Sequence, residues 1–302
     1  MRRREATRRR RLQVAGSAGA CLALVAVVSG AALTSPQPDQ VLNSRGIAHA
    51  ASVEEGAAAT ANSVAAAWKP NVKAARKYIL GREGWASFSA VTAGFSGAVH
   101  GKHDVPLAST VKVILMTAMA RSAADRPLTV SESEAMSSMI RLSDNDSADA
   151  LMGAVGIEGL EESARIGGAS GLEPDYAWGL SRASAVDMAR FMWRLPSLLP
   201  VRHRKVSLQH LESVTDWQRW GIARIPRPSW TLYFKGGWGI SDGRMAGTVN
   251  HQIALLRRGK KKAALAIMTQ GNPTHEYGVE TIEGVARALL EGLPGPPPDS
   301  ST

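Results

Sequence analysis

A serine and a lysine with the spacing that nucleophilic catalysis requires occur in the segment Ser109-Thr110-Val111-Lys112. Residues three positions apart share one face of a helix, so the Lys112 amine can come within hydrogen-bond reach of the Ser109 hydroxyl. A lysine removed from water has a lowered pKa and can act as a base, and serine is a poor nucleophile until a base takes its proton. Lys112 is also the only charged residue between Asp104 and Arg121, where an unpaired charge is costly. We therefore predict a catalytic pair; the structural alternative is a helix-capping serine followed by a lysine that reaches solvent.

Two later tripeptides carry polar groups suited to binding and proton transfer. In Ser143-Asp144-Asn145 a loop serine can relay a proton, and an asparagine amide can donate to a carbonyl and hold a lysine. In Lys235-Gly236-Gly237, at the end of a predicted strand, the lysine can hold a carboxylate while the glycines let a ligand lie close to the backbone. Taken singly, the first is more typical of a turn with a helix cap, and the second of a basic strand end before a turn.

Taken together and in this order, the three motifs resemble the Ser-x-x-Lys, Ser-Asp-Asn and Lys-Thr-Gly set of the serine penicillin-recognising enzymes, such as class A β-lactamases and penicillin-binding proteins. The stretches ASTVKV, RLSDNDSADAL and YAWGLSRASAVDMARFM look most like exported serine hydrolases of actinobacterial type related to class A β-lactamases. The resemblance covers roughly residues 65–293. It implies the β-lactamase/transpeptidase-like fold and a hydrolase that opens a β-lactam or a related amide.

The resemblance also implies roles for individual residues. Ser109 is expected to be the nucleophile that accepts the acyl group, and Lys112 its proton acceptor. Ser143 is expected to pass the proton to the leaving nitrogen, Asn145 to bind the side-chain amide of the substrate, and Lys235 to hold the substrate carboxylate.

Further substrate-binding residues are expected just after Lys235. They are Gly236, Gly237, Trp238 and Arg244. The resemblance implies that the backbone N–H of Trp238 completes an oxyanion hole with that of Ser109. Arg244 stands where some class A enzymes carry an arginine that binds the substrate carboxylate.

Three departures from the family pattern bear on turnover. The interval from Ser109 to Ser143 is shorter than in typical class A enzymes, which indicates a trimmed helical lobe. Gly236 replaces the threonine of Lys-Thr-Gly, which removes a hydroxyl that helps to bind the carboxylate. Class A enzymes deacylate with a loop glutamate and an asparagine, and here Glu173 is the sole candidate glutamate, in a short loop over residues 171–180 without that asparagine. Glu173 is expected to be either the deacylating base or a surface turn residue, and without a positioned base the acyl-enzyme hydrolyses slowly.

Strands on both sides of a helical block are predicted around these motifs. Five strand-like segments flank the block, two before it and three after it: residues 85–92, 97–100, 231–235, 248–256 and 263–269. Apolar residues nearly all round 109–121 predict a buried helix, and Ser131 with Glu134 and Ser184 with Asp187 predict capping boxes for two others. The fold class is therefore α/β (α+β): an antiparallel sheet flanked by N- and C-terminal helices, plus an all-helical lobe, with the site in the cleft between them.

The N-terminal segment predicts export. Residues 1–33 run from an arginine cluster into an uncharged apolar stretch and then small residues, which is typical of an export signal, either cleaved or kept as a membrane anchor. We expect an Ala- and Pro-rich linker over 34–64, the serine hydrolase domain over 65–293 and a disordered tail over 294–302. The domain is accordingly expected outside the cytoplasm, secreted or anchored to the membrane.

Composition argues against several other classes of protein. The chain has 302 residues, of which 44% are hydrophobic, and one cysteine, so a disordered chain, a disulfide framework and a cysteine-based zinc site are all disfavoured. Residues 1–33 contain seven arginines and one glutamate, and these account for most of the net charge of +10. Because the rest of the chain is only weakly basic, we expect no nucleic-acid partner. No cofactor or metal ion is expected. The partner is expected to be a small β-lactam or a peptidoglycan peptide, bound by a monomer.

Two alternatives to a β-lactam hydrolase stay open at this point. One is a D,D-peptidase-like enzyme or penicillin-binding protein that deacylates slowly. The other is a noncatalytic cell-wall binding or sensor module that keeps the fold. Fast turnover would support the β-lactam hydrolase, a long-lived penicilloyl adduct would support the slow-deacylation alternative or a sensor, and no acylation would support the noncatalytic module.

Overall fold

The computed structural model of the protein describes residues 68–241 and 245–295. The predicted export signal (1–33), the linker (34–64), Arg244 and residues 296–302 of the predicted tail lie outside the described residues. Within the described ranges, no helix is both long enough and apolar enough to cross a membrane.

The strands form one main sheet and one short ribbon. Their bounds are β1 (Trp85–Thr92), β2 (Phe95–Val99), β3 (Asp104–Pro106), β4 (Arg182–Ser184), β5 (Thr231–Ile240), β6 (Thr248–Arg258) and β7 (Lys261–Asn272). Five of them pair antiparallel in the order β2-β1-β7-β6-β5, and β3 pairs with β4 separately. Strand β5, which carries Lys235, is therefore an edge strand of the main sheet.

Helices cover the sheet and build the lobe beside it. Their bounds are α1 (Val72–Ile79), α2 (Lys112–Ser122), α3 (Val130–Arg141), α4 (Asn145–Gly167), α5 (Ala185–Leu198), α6 (Val201–Glu212) and α7 (His275–Leu289). In β7 every residue from Ala263 to Gln270 is buried. Because strand side chains alternate between faces, both faces of β7 must be covered. Helices α5 and α7 both pack on β6 and β7, with α1 beside α7, so they supply the two outer layers.

Helix α2 is the buried centre of the helical lobe. All of its residues from Lys112 to Ala120 are buried, and it packs against α3, α4, α5 and α6. A 3-10 turn, Ala108–Val111, precedes it and places Ser109 at its start. This turn lies against β5, so the lobe and the edge of the sheet meet at Ser109.

The predicted fold class is confirmed, and so are most of the predicted elements. Strand β1 has the predicted bounds, and the buried helix predicted over 109–121 appears as the 3-10 turn followed by α2. The capping box of α5 is present, with the Ser184 hydroxyl accepting from the Asp187 N–H. The two-lobed arrangement inferred from the order of elements is therefore the one that the chain adopts.

The other predicted capping box is wrong by two residues. Helix α3 begins with Thr129 as its cap: the Thr129 hydroxyl accepts from the Glu132 N–H, and the Glu132 carboxylate accepts from the Thr129 N–H at 2.8 Å. Arg126 donates two hydrogen bonds of 2.7 Å to that carboxylate, which holds Glu132 in the capping position and lowers its pKa to about 2. A local contact from Arg126, six residues before Glu132, therefore supports the cap at Thr129 instead of the one predicted at Ser131.

Candidate active site

The three sequence motifs meet at a cavity of about 450 Å³ between the helical lobe and strand β5. Ser109 and Asn145 line it from the lobe, and Trp238 lines it from the strand. Trp178 and Asp149, which no motif includes, complete its polar wall. The cavity is therefore the candidate active site.

Lys112 is held by the Ser143-Asp144-Asn145 motif. Its Nζ donates to the backbone carbonyls of Ser143 at 2.7 Å and Asp144 at 3.0 Å, and to Oδ1 of Asn145 at 2.8 Å. Three acceptors match the three hydrogens of an ammonium group. Burial nevertheless lowers the pKa of Lys112 to about 8, against the opposing effect of the Asp144 and Asp149 carboxylates. The amine can thus exchange a proton near neutral pH, which is what a base for Ser109 requires.

Ser143 links the two lysines. Its backbone carbonyl accepts from Lys112, and its hydroxyl accepts from Lys235 Nζ at 2.9 Å. Lys235 also donates to the carbonyl of Gly236 at 2.9 Å and to Oε1 of Gln218 at 3.3 Å. Burial lowers the pKa of Lys235 well below its ordinary value, and the positive charge of Lys112 lowers it further. Ser143 adopts a φ of 59°, a left-handed conformation that costs a non-glycine residue free energy and that is typical of functional sites.

Gly237 lets strand β5 lie directly against the turn that carries Ser109. A Cβ atom at Gly237 would be 2.9 Å from the backbone nitrogen of Ser109 and 3.0 Å from that of Thr110, so no other residue fits. Ala108, just before the nucleophile candidate, has a φ of 46°, which fixes the direction in which the turn starts. The Ser109 N–H thus lies against Gly237, and Ser109 and Trp238, the residue after Gly237, line the same cavity.

Trp220 explains why the third motif reads Lys-Gly-Gly. A Cβ atom at Gly236 would lie 3.0 Å from Cζ2 of the buried Trp220 ring, which occupies the space of a side chain there. Trp220 in turn packs edge-on against Trp238, with ring centroids 6.1 Å apart. The Trp220 ring thus occupies the space of the threonine side chain that the Lys-Thr-Gly motif has at this position.

Trp178 and Asp149 were not identified from the sequence. The Trp178 indole N–H donates to Oδ1 of Asp149 at 2.6 Å, and its ring lies 4.6 Å from Nζ of Lys112. Asp149 follows Asn145 by four residues on α4, so the two share a helix face. That spacing is the signal that could have found Asp149, whereas nothing in the local pattern marks Trp178.

One family model matches the chain. The model of the beta-lactamase enzyme family matches residues 123–293, more than half of the chain. The chain belongs to the beta-lactamase enzyme family. As a family member it is a serine hydrolase that acts on amide bonds. The match contains the Ser143 and Lys235 motifs, while Ser109 and Lys112 precede it and rest on the geometry given above.

Solved structures similar to this beta-lactamase family member share its fold. A beta-lactamase from Sphaerobacter thermophilus is 20% identical, with a TM-score of 0.62, and the match covers 75% of this chain and 98% of that one. A class A beta-lactamase from Mycobacterium abscessus is 19% identical, with a TM-score of 0.61 and coverages of 74% and 99%. A representative of class A beta-lactamase from Bacteroides cellulosilyticus is 12% identical, with a TM-score of 0.64 and coverages of 75% and 99%. At these identities the likeness establishes the fold alone. The comparison with curated proteins gave no match.

Of the predicted site residues that the structure describes, Ser109, Asn145 and Trp238 line the cavity of this beta-lactamase family member, whereas Lys112, Ser143, Glu173, Lys235, Gly236 and Gly237 are not among its described lining residues. Glu173 is exposed, its backbone is bridged to Arg182 by two hydrogen bonds of 2.8 Å, and it is absent from the described residues that line the cavity. This placement is that of the surface turn residue, the second of the two alternatives for Glu173. Arg244 lies outside the described residues. The described residues also contain no group of three or more His, Cys, Asp or Glu side chains arranged to hold a metal ion.

Proposed function

We propose that the protein is an exported serine hydrolase that opens a β-lactam or a related amide through an acyl-enzyme on Ser109. The observation that carries the proposal is the shared use of Ser143, whose carbonyl accepts from Lys112 at 2.7 Å and whose hydroxyl accepts from Lys235 at 2.9 Å. One chain of polar groups thus connects a base, a proton relay and an anion-binding lysine. The predicted signal in residues 1–33 supports export and a location outside the cytoplasm.

Acylation starts with proton transfer from Ser109 to neutral Lys112. The neutral amine has two hydrogens and a lone pair, so it gives up one of its three acceptors and takes the Ser109 proton as the oxygen attacks the amide carbon. The backbone N–H groups of Ser109 and Trp238 stabilise the oxyanion, an effect for which each donor contributes about 10²–10³ in rate. The C–N bond then breaks. Ser143 gives its proton to the leaving nitrogen and receives the proton that Lys112 took from Ser109, so Lys112 returns to the neutral amine and the acyl group stays on Ser109 as an ester.

Substrate binding is assigned to the lobe side and the strand side of the cavity. Asn145 lines the cavity and binds the side-chain amide at the lobe. Lys235 is fully buried and outside the described lining, and it holds the substrate carboxylate at the strand by releasing one of its three acceptors. Gly236 and Gly237 keep β5 close to Trp220 and to the Ser109 turn, and Trp238 supplies an apolar wall. Such a cavity suits a small anionic acyl donor, either a β-lactam or a peptidoglycan stem peptide, taken by a monomer.

A second candidate function, a penicillin-binding protein with slow deacylation, is favoured by the position of Glu173. Hydrolysis of the ester requires a base that activates water next to Ser109. The exposed Glu173 is not among the described residues that line the cavity, and the one carboxylate among them, Asp149, accepts a hydrogen bond from the Trp178 indole. Both functions share acylation of Ser109 and differ in how long the ester survives.

A time course of intact mass with benzylpenicillin tests the proposal. The purified protein is expected to gain one penicilloyl group, and the variant Ser109→Ala, confirmed as folded by its thermal transition, is expected to gain none. Decay of the adduct within minutes supports a β-lactam hydrolase, and an adduct that persists for hours supports the slow-deacylation function. No adduct on the folded wild-type protein would overturn both and favour the noncatalytic module.

A further inference from the structure

Asp149 places a negative charge in a cavity that is proposed to bind an anion. Asp149 lines the cavity together with Ser109 and Asn145, and its side chain is exposed to the cavity's solvent. A carboxylate here repels a substrate whose only charge is a carboxylate, because like charges within several ångströms destabilise each other. The arrangement favours binding only if the substrate carries a positive charge at this end.

The position of Asp149 determines which part of the substrate it meets. It lies one helical turn beyond Asn145, which is assigned to the side-chain amide of the substrate. Because Asn145 and Asp149 line the same cavity, a group attached next to that amide is the part of the substrate placed to meet Asp149. The Trp178 N–H fixes the carboxylate with a 2.6 Å hydrogen bond at Oδ1. A carboxylate accepts about four hydrogen bonds, so it can accept further ones from a ligand.

The cavity that Asp149 lines has an exposed aliphatic rim. Leu180 is 52% exposed and Ile240 is 89% exposed, and both line the cavity. Exposed aliphatic side chains of this kind are suited to an aromatic or aliphatic substituent of a ligand. The features together describe an acyl side chain with an apolar end and a charged donor close to its amide.

We propose that Asp149, held by Trp178, forms a subsite for a protonated primary amine on the acyl side chain of the substrate. This inference rests on the proposed function, since it names the class of amide that the same site prefers. The amine donates to the carboxylate of Asp149 while the apolar end of the side chain contacts the rim. Asp149 is thus a specificity-determining residue, separate from the groups that transfer protons.

Two penicillins that differ by a single amino group test this subsite. Ampicillin carries an α-amine beside its side-chain amide, and benzylpenicillin lacks it. The quantity to measure is the ratio of their second-order rate constants for acylation of Ser109 at pH 6, where the amine is protonated. Wild type is expected to prefer ampicillin, and Asp149→Asn is expected to lower the ratio about 3- to 10-fold. Asparagine keeps an oxygen for the Trp178 N–H, so the wall of the cavity is preserved.

The ratio is used because Asp149 also acts on Lys112. The Asp149 carboxylate raises the pKa of Lys112, so its removal changes the rates for both penicillins. That common change cancels in the ratio. The matched control is Asp146→Asn, which removes the same charge from an exposed position of α4 outside the described cavity lining and is expected to leave the ratio unchanged.

The outcomes distinguish this inference from the proposed function. If both penicillins acylate Ser109 and Asp149→Asn leaves the ratio at its wild-type value, the amine subsite is overturned and the proposed function stands. If Asp146→Asn lowered the ratio as much as Asp149→Asn does, the amine subsite would be overturned as well, because the effect would then be one of net charge. If neither penicillin acylates the wild-type protein, the proposed function and this inference fail together.

Discussion

The amine of Lys235 donates a hydrogen bond to the hydroxyl of Ser143 at 2.9 Å, although the two residues are 92 positions apart in the chain. The contact joins the edge strand β5 to the loop between α3 and α4. Lys112 donates to the carbonyl of the same serine, so two buried amines converge on one residue. Burial and, in addition, the positive charge of Lys112 lower the pKa of Lys235, and burial lowers the pKa of Lys112 itself to about 8.

Two substitutions of Ser143 should have the same effect on the acylation rate but different effects on stability. Ser143→Ala removes the relay and the acceptor of Lys235, and we expect the acylation rate constant to fall about 10²-fold or more. Ser143→Gly should be equally slow but more stable than Ser143→Ala by about 1 kcal/mol, because glycine adopts the φ of 59° without steric cost. Stopped-flow acylation and urea unfolding measure the two quantities. Equal stability of the two variants, or acylation by either at the wild-type rate, would contradict the assignment.

Acylation should depend on pH through Lys112. The base form is the neutral amine, and burial lowers the pKa of Lys112 to about 8. The rate constant should therefore rise from pH 6 and level off above about pH 8. Asp149→Asn should move this limb to lower pH, since the Asp149 carboxylate raises the pKa of Lys112. Acylation kinetics with benzylpenicillin from pH 6 to 9 provide the check; a profile that is flat or falls over this range would remove Lys112 as the base.

Local patterns predicted the elements better than the details of the site. The strand-like segment 85–92 predicted the bounds of β1, and the apolar segment after Ser109 predicted the buried helix, because both signals depend on residues close in sequence. The convergence of the three motifs was expected only through family resemblance. The place of Trp220 against Gly236 is set by tertiary packing between segments that share no periodicity, so no local pattern could reveal it.

The packing of Trp220 predicts that the family's threonine cannot be restored at Gly236. In Gly236→Thr the new Cβ meets the ring at 3.0 Å and the side chain needs more room still, so we expect a loss of about 1–3 kcal/mol in unfolding free energy and no faster acylation. Gly239→Ala is the matched control on the same strand, because a Cβ there meets no described atom within 4 Å. Urea unfolding of both variants compares them. If the Gly236→Thr protein were as stable as Gly239→Ala, the Trp220 ring would have to move aside to accommodate the threonine.

The exposure of Glu173 predicts that this carboxylate does not control the lifetime of the acyl-enzyme. A general base must stand within about 3 Å of the water that it activates, or one further water away. Glu173 is exposed, and its backbone is tied to Arg182 outside the described cavity lining. Glu173→Gln should therefore leave both the acylation rate and the decay of the penicilloyl adduct within about twofold of wild type, whereas loss of a working base would slow decay about 10²-fold or more. Intact-mass time courses after removal of free penicillin measure the decay. If Glu173→Gln prolongs the adduct 100-fold, the loop must bring this carboxylate to Ser109 in the acylated protein, and the chain would deacylate as a hydrolase with Glu173 as its base.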